Sequence, residues 1–521
     1  MTPRQEINVG EMRSRGMVRL KEDKMFSMWV KTACCNLSSD QLRGLADIIE
    51  KYARGYLLFT TRQIPIIVHV HQDNLAAVQD ELAKLDMMLD RCGPTVRNVN
   101  VCYDDKTCPE ALTNSLSLGE KLDNFFHRPG LGHKIKMGVA GCPKDCIISR
   151  ALNDISFVAV RRNGRIGYDV SLGGRLGVNP FLGVRMAQGL GENECVRFVE
   201  NYFDLVAAEG KHEERAADVI KRLGAARVTQ ILTKDLQRLS ALQPIECAAR
   251  LPGDQAGKVI VRVRATCGEV TAAQLRTLAG IADRHGRGTV HFAVRGAPEV
   301  PGVEPSHLPE IRDALAAAGM SLMEGGVANL QSCFGAYCTE SQADPYSLLR
   351  SIEKLVGELG AGNLDIKISA SGCPNSCGIP NINDIGFYGV VEPAIDRAAC
   401  KGCELCVPIC KRRAIRVEKG MAVIDDSRCA HCGQCLAVCP FNAIAERRRG
   451  FAVLVGGREG TDTRLGQIIA EFVSEEEALR ITRALLTLLM SRKGSAADVI
   501  DEIGVDWLRT TLLAAAAREQ K

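Results

Sequence analysis

Sixteen of the chain's 22 cysteines fall at short, repeated spacings, and those spacings are where its chemistry is most legible. Ile368–Cys377 reads Ile-Ser-Ala-Ser-Gly-Cys-Pro-Asn-Ser-Cys, and Met137–Cys146 reads Met-Gly-Val-Ala-Gly-Cys-Pro-Lys-Asp-Cys. In each, an apolar run meets a glycine and then two cysteines four positions apart. That step is about one helical turn, so both thiols can point the same way. Each pair has an upstream partner, Cys102 with Cys108 and Cys333 with Cys338. Four thiolates drawn from two loops are a ligand set for an iron–sulfur cluster.

A third group is denser. Cys400, Cys403, Cys406 and Cys410 are followed by Cys429, Cys432, Cys435 and Cys439-Pro440. This is the doubled C-x2-C-x2-C-x3-C run of a two-cluster ferredoxin, in which the fourth cysteine of each run serves the other cluster. One cluster then takes Cys400, Cys403, Cys406 and Cys439, the other Cys429, Cys432, Cys435 and Cys410. Zinc is the alternative for any C-x2-C pair, and eight cysteines so spaced argue against it. The first run ends in Cys410-Lys411, where proline is usual.

These motifs sit in an ordinary globular composition: 46% hydrophobic, 25% charged, and long enough for three or four domains. Lys+Arg 66 against Asp+Glu 62 leaves a net charge of only +4, which gives no argument for nucleic acid. No apolar run reaches membrane-span length; Ala484–Met490 is among the longest. The polar, charged stretch through Lys24 lacks the apolar core of a signal peptide and points to the cytoplasm. Clustered cysteines then read as metal ligands, not disulfides.

The elements that position the cysteines come in two copies. The first 24 residues read as an arm on the surface. A strand–helix–strand unit follows from Phe26 to His71, with its helix opening at Ser38 in a capping-type start and apolar residues at 42, 45, 48 and 49. Its second strand is expected over Tyr56–Val70, and a further helix over Leu75–Leu89. After Cys146 come Asn153-Asp154, a strand Ile155–Val160, a turn at Asn163-Gly164, and helices over Glu194–Glu209 and Glu213–Leu223. Ser240–Lys258, with Pro244, Pro252 and Gly253, reads as a linker. The Leu-rich helix Ile481–Met490 reads as core.

Beyond the linker the pattern recurs. Lys31, Gln41-Leu42 and Arg62 map to Arg264, Gln274-Leu275 and Arg295 at an offset of 233. Cys102 and Cys142 map to Cys333 and Cys373 at 231, and Asn153-Asp154 to Asn383-Asp384 at 230. Gly173-Gly174-Arg175 then maps to Gly456-Gly457-Arg458 at 283, and Ala216–Ile220 to Ala496–Ile500. The offset has jumped by 53 residues, so the ferredoxin-like run is an insertion into the second half alone. Within Cys400–Gly450 stand ten Lys/Arg and five Asp/Glu. That excess offsets the negative clusters in part; the rest reads equally as a solvated face or as a seat for an acidic electron donor.

The repeat, the paired cysteines and the ferredoxin insert together resemble the siroheme-dependent sulfite and nitrite reductases. The likeness is greatest to a dissimilatory or anaerobic sulfite reductase with two related protomers fused, and it spans Phe26 to Leu513. It implies an α+β fold of two pseudo-symmetric halves, each with a ferredoxin-like and a mixed α/β portion, plus an inserted bacterial-type ferredoxin domain. The expected stretches are 1–240 for the first half, 241–392 for the first part of the second, 393–446 for the insert and 447–521 for the remainder. In the family a [4Fe–4S] cluster shares its last cysteine sulfur with the siroheme iron. By motif that sulfur is Cys377 in the second half and Cys146 in the first. The spacing Cys102-x5-Cys108 follows the family, whereas Cys333-x4-Cys338 is one residue short.

The resemblance further implies an oxyanion pocket built from basic residues of one half over the cluster of the other. Lys31, Arg62, Lys134 and Lys136 match its four positions, with Lys31 where arginine is usual. The Lys134-Ile-Lys136 alternation puts both ammonium groups on one strand face. Arg264, Arg295, Asp365 and Lys367 occupy the same places in the second half, so the formal charge is +4 for the first set and +2 for the second. The first set, over Cys333, Cys338, Cys373 and Cys377, is therefore the expected catalytic pocket. The second is left as a structural siroheme, a cluster alone or another active haem. Gly173, Gly174 and Arg175 read either as an approach to the macrocycle, Arg175 meeting a siroheme carboxylate, or as a glycine-rich turn. Cys34, Cys35, Cys92, Cys195, Cys247 and Cys267 lack motif partners and read as buried structural thiols. His133 adjoins the lysine pair, as a participant in proton delivery or an ordinary half-buried imidazole.

The function implied is six-electron reduction of sulfite to sulfide with one or two sirohemes and up to four [4Fe–4S] clusters. Electrons would come from a separate donor protein through the insert, since no flavin or nicotinamide motif is evident. Nitrite reduction to ammonia is the close alternative. A non-catalytic iron–sulfur electron-transfer subunit is another, and a role in corrin or haem biosynthesis is a third that the insert argues against.

Overall fold

The computed structural model describes residues 9–127, 132–236, 257–460 and 462–518. Cys247 and nearly all of the expected linker lie outside these. The chain forms two compact units that do not follow chain order. One holds residues up to Arg175, Phe181–Met323 and the short segment at Glu459; the other holds Leu176–Pro180, Glu324–Arg458 and the chain from Asp462.

In the first unit the two copies of the strand–helix–strand motif exchange strands. Met17–Arg19, Met25–Trp29, Pro65–His71 and Tyr56–Phe59 form a sheet completed by Glu269–Thr271 of the second copy. Val259–Arg262, Pro298–Val303 and Thr289–Phe292 form another, completed by Asn36–Ser38 of the first. Neither copy buries its apolar face alone. Helices Ser39–Tyr52 and Ala272–His285 share one core, with Leu42, Leu45, Ile48, Ile49, Leu275, Leu278 and Ile281 buried. The two copies meet about a local pseudo-dyad at Phe59 and Phe292, 233 positions apart, whose rings stack at 3.4 Å between centroids. Both helices open on a full capping box, Ser38 with Gln41 and Thr271 with Gln274.

Several element boundaries differ from the sequence reading, each for a visible reason. The expected surface arm is instead tied into a sheet. After helix Val9–Ser14, the strand Met17–Arg19 pairs with Met25–Trp29, and Met17 and Leu20 are buried. The single strand expected over Tyr56–Val70 is two antiparallel strands, because Gln63 takes a left-handed φ of 57° and turns the chain back. The helix from Leu75 ends at Lys84, and Leu89 bridges Val30 instead. The helix expected from Glu213 begins at Ala216, and that expected from Glu194 at Glu192.

The cysteine motifs ride on a second kind of sheet, present once in each unit. In the first unit its order is Val184–Leu190, Arg165–Leu172, Ile155–Arg162, Met137–Ala140, Asn100–Val101. In the second it is Gln467–Val473, Ile444–Val455, Ile385–Ile395, Ile368–Ser371, Gln331–Ser332. In each sheet the two pairings at the end of the last-named strand are parallel and the other two antiparallel. In the first copy Ile155–Arg162 turns into Arg165–Leu172 through Asn163-Gly164, both with positive φ, as a two-residue hairpin requires. In the second, the equivalent strands run on to the pair Ile395 and Ile444, and the insert occupies the tip of that hairpin. The helix Glu475–Met490 buries Ile481, Leu485, Leu486 and Leu489, and among the described residues no helix is long and apolar enough to cross a membrane.

Candidate active site

In both sheets the inner parallel strand runs into a glycine and then the cysteine loop. The Gly141 N–H donates to Cys102 Sγ at 2.9 Å, and the Gly372 N–H donates to Cys333 Sγ at 3.3 Å. A Cβ at Gly372 would collide with Ser341 Oγ, so the residue before Cys373 has no room for a side chain. Each loop then uses two non-glycine residues in the left-handed region, Asp145 and Ile148 in one and Ser376 and Ile379 in the other. The same strained backbone at matching positions is a device held in place by its surroundings.

The four thiols of each set share one electrostatic environment. Burial first, opposed by the Gly141 and Ser115 donors, and then Cys146 and Cys142 set the Cys102 thiol, pushed up to about 12. Burial and then Cys377 push Cys333 up to about 12, with Cys338 adding to the rise. In each set the last thiol alone is exposed, Cys146 in one and Cys377 in the other, while Cys142 and Cys373 are buried. Buried thiols that oppose one another's ionisation, with N–H donors already aimed at sulfur, need a cation to ionise. Such a donor set could hold an iron–sulfur cluster, with one sulfur left exposed.

The insert divides its eight cysteines between two hollows. One is lined by Cys400, Cys403, Cys406 and Cys439, the other by Cys410, Cys429, Cys432 and Cys435. A local repeat builds them: the Ala414 N–H donates to Cys410 Sγ and the Ala443 N–H to Cys439 Sγ, each at 3.2 Å. Likewise Cys400 and Cys429 donate their N–H groups to the carbonyls of Asp396 and Asp425, each at 3.0 Å. Hydrogen bonds to ligand sulfur favour the more negative, reduced cluster. If the hollows hold clusters, Ala414→Pro, which deletes one such donor, is expected to shift the potential of the cluster at Cys410 to more negative values in an EPR-monitored redox titration, leaving the other unchanged.

Lys31, Arg62, Lys134 and Lys136 all belong to the first unit. Ile135 bridges Val96 and is buried, while Lys134 and Lys136 lie half-buried to either side, the expected alternation. Burial first, then Lys136, Arg215, Arg97 and Arg62, hold the Lys134 ammonium well below the usual lysine range. These cations therefore share one field. Arg62 lies over the Trp29 ring at 4.1 Å, with Nη1 3.4 Å from Asp90 and Nη2 3.8 Å from Cys92 Sγ.

A count of four positive charges is corrected by partners that the motif did not include. Lys31 is ion-paired with Asp123, and Arg62 with the fully buried Asp90. Arg97 adds a buried guanidinium held by the carbonyls of Arg91 and Gly93. Arg62 and Arg97 between them hold the Cys92 thiol down to about 6 against the effect of its burial. Asp123 and Arg97 escaped the sequence reading because it searched by duplication: their equivalents at the 231 offset are Lys354 and Ala328.

The second basic set is divided, Arg264 and Arg295 in the first unit and Asp365 and Lys367 in the second. Arg295 is paired with Glu459 at 2.8 Å, which removes much of the charge credited to it. Arg175 gives both terminal nitrogens to Asp218, at 2.6 and 2.8 Å, and its copy Arg458 pairs with Asp498 at 2.6 Å. The Arg175 guanidinium is thus engaged with Asp218 in this structure, and Gly173 has a φ of 100°. His133 is buried, its Nδ1 3.0 Å from the Glu214 carbonyl. Cys34, Cys35, Cys92, Cys195 and Cys267 are all buried.

The repeated Asn-Asp pair is explained by what it ties together. Asp154 is buried, accepts the Lys136 N–H at 2.9 Å and Arg215 Nε and Nη2 at 2.8 and 2.9 Å, and its carbonyl accepts the Gly173 N–H at 2.7 Å. Asp384 repeats this with Lys367 at 2.8 Å and Gly456 at 3.0 Å. Asp154→Asn leaves the Arg215 charge unanswered and is expected to cost about 3–5 kcal/mol, read as a lower urea midpoint.

Comparison with known proteins agrees with this construction. Residues 92–239 and 324–519 match the nitrite and sulphite reductase 4Fe-4S domain, and residues 19–85 and 252–318 the nitrite/sulfite reductase ferredoxin-like half domain. The chain is 30% identical over 246 residues to an anaerobic sulfite reductase subunit of Salmonella typhimurium, covering 42% of this chain and 71% of that one. It is 24% identical over 395 residues to ferredoxin–nitrite reductase of Synechococcus elongatus, covering 68% and 74%. The solved structure of the NirA protein of Mycobacterium tuberculosis has the same fold, with a TM-score of 0.73 at 19% identity over 95% of this chain and 90% of that one. With the half domain and the 4Fe-4S domain each matched twice along its length, the chain belongs to the nitrite and sulphite reductase family of oxidoreductases.

Proposed function

We propose that this protein reduces sulfite to sulfide, with siroheme and [4Fe–4S] clusters as its cofactors. The observation that supports the reading is the presence in one chain of two four-thiol sets, each with one exposed sulfur, and of a basic cluster around Lys134. Cys333, Cys338, Cys373 and Cys377 would hold one cluster, and Cys102, Cys108, Cys142 and Cys146 another. Cys377 and Cys146, the exposed thiol of each set, would be the sulfurs nearest the siroheme if it binds there. The two hollows of the insert would hold the remaining clusters. When bound, these groups would supply low-potential electrons and an iron centre at which the oxyanion is reduced.

The chain's own residues handle charge and protons. Lys31, Arg62, Lys134 and Lys136 would bind and orient the oxyanion, and Arg97 strengthens their field from behind. Asp123 and Asp90 hold Lys31 and Arg62 in place before substrate arrives, so little reorganisation is left for binding. Lys134, with its proton weakly held, is suited to release it to a reacting oxygen. Nitrite reduction to ammonia is the second reading, favoured by the longer match to the Synechococcus relative. Oxidation of reduced methyl viologen, measured with sulfite and then with nitrite, tests both; no turnover of sulfite would sink the first.

A further inference from the structure

The two hollows of the insert do not stand alike towards the rest of their unit. The hollow of Cys410, Cys429, Cys432 and Cys435 is walled partly by Val178 and Pro393, which lie outside the insert. Around it the insert is fastened on two sides. Gln342 Nε2 donates to the Cys432 carbonyl at 3.2 Å, Gln434 Nε2 to Glu340 at 2.8 Å, and the Val391 N–H to the His431 carbonyl at 2.9 Å. On the other side Asn179 donates to the Lys411 carbonyl at 3.1 Å, and Arg412 donates to the Val178 carbonyl at 3.3 Å and to Asn179 Oδ1 at 3.1 Å.

Both fastenings lead on to the other cysteine set of the same unit. Gln342 follows Ser341, whose N–H donates to the Cys338 carbonyl at 3.1 Å. The Leu176–Pro180 segment passes the Cys373–Cys377 turn so closely that a Cβ at Gly177 would meet the Asn375 carbonyl at 3.1 Å. The hollow of Cys400, Cys403, Cys406 and Cys439 is different. Its lining comes only from residues between Cys400 and Ile444, and Cys403 is exposed. On its rim Leu405 and Phe441 are 52% and 46% exposed, although both are large and apolar.

We propose that the two sets act in a fixed order: Cys400, Cys403, Cys406 and Cys439 form the receiving site, and Cys410, Cys429, Cys432 and Cys435 the delivering site. Gln342 and the Leu176–Pro180 segment couple the delivering site to Cys338 and the Cys373–Cys377 turn. The inference rests on reading both hollows as cluster sites. Each passage moves one electron: a one-electron carrier protein outside the chain is oxidised, and the acceptor beyond Gln342 is reduced. No bond forms or breaks in the insert. The physical reason is distance, because electron transfer weakens steeply with separation, and among the described residues only the hollow of Cys410, Cys429, Cys432 and Cys435 is hydrogen-bonded to the segments next to Cys338 and the Cys373–Cys377 turn.

The test is anaerobic rapid mixing of the holoenzyme with a reduced two-[4Fe–4S] ferredoxin, following insert signals by freeze-quench EPR and siroheme by its absorption. In the Gln342→Ala/Arg412→Ala double variant the insert signals should appear at the wild-type rate, while siroheme bleaches about tenfold more slowly. Bleaching at the wild-type rate would overturn the delivering assignment. In Cys403→Ser, bleaching by the ferredoxin should fall by about tenfold or more while bleaching by reduced methyl viologen persists. Undiminished bleaching by the ferredoxin would overturn the receiving assignment. The double variant alters no thiol, so it decides the matter if Cys403→Ser does not fold. A wild-type protein without any insert cluster signal would refute the underlying reading instead of the order.

Discussion

Cys377→Ala is expected to lose sulfite turnover by ~10³-fold or more, because in the proposed function its exposed thiol would join cluster and siroheme. The insert's signals should survive, since its eight cysteines are untouched, and the siroheme absorption should be lost or displaced. Iron quantitation and spectra on the anaerobic protein check this, and unchanged turnover would remove Cys377 from the reaction. The same thiols make a second, thermodynamic statement. Cys102 and Cys333 hold their protons more tightly in the folded chain than in the unfolded one, up to about 12 against an ordinary 9.0. A group whose folded value is raised stabilises the fold below the unfolded value, and that stability is lost as pH rises through the folded one. Cluster-free protein should therefore lose thermal stability from about pH 9 upward. Protein loaded with clusters, its thiolates already neutralised, should be less sensitive over that range. Melting curves of both forms between neutral and alkaline pH measure the difference.

Lys134→Met and Arg62→Met are each expected to lower kcat/KM for the oxyanion by about 10²–10³-fold, the scale of removing one preorganised charge from a partly dehydrated site. The sharper test is the pH dependence. Burial and four neighbouring cations depress the Lys134 pKa, so its charge is lost at a lower pH than for an ordinary lysine. As pH rises through that value the site loses attraction for the anion, and KM should climb. Lys136→Met removes the neighbour that opposes Lys134 most after burial. In that variant the Lys134 pKa rises, and the alkaline limb of the kcat/KM profile should move to higher pH even as the maximum falls. A limb that stays in place, or moves the other way, would show that another group sets it.

The divided fates of the two basic sets bear on why the halves are not equivalent. Duplication preserves the backbone frame: Asp154 and Asp384 anchor the same strand and the same glycine turn in each copy. It does not preserve the charges around it. Asp365 stands where Lys134 stands in the first half, and Glu459 neutralises Arg295. The first half keeps cations half-buried and close together, an arrangement that costs stability unless an anion is present to relieve it. The two halves thus share a backbone frame and differ in the charge it carries.

What the sequence determined by itself is whatever depends on local spacing. Four-residue and three-residue steps between cysteines, the capping box at Ser38 and the Asn163-Gly164 turn act over a single turn of chain, so their meaning is complete in a few residues. The duplication, and the 53-residue jump in offset, were legible for the same reason: order along the chain survives in the sequence. Only the tertiary structure decided what lies beside what. That Asp123 answers Lys31, that Arg97 shares the field of Arg62, that Arg175 pairs with Asp218, and that each copy completes the other's sheet all join residues far apart in the chain. Charge acts through space and burial through packing, so the strength of the basic site was set by neighbours no spacing rule could name.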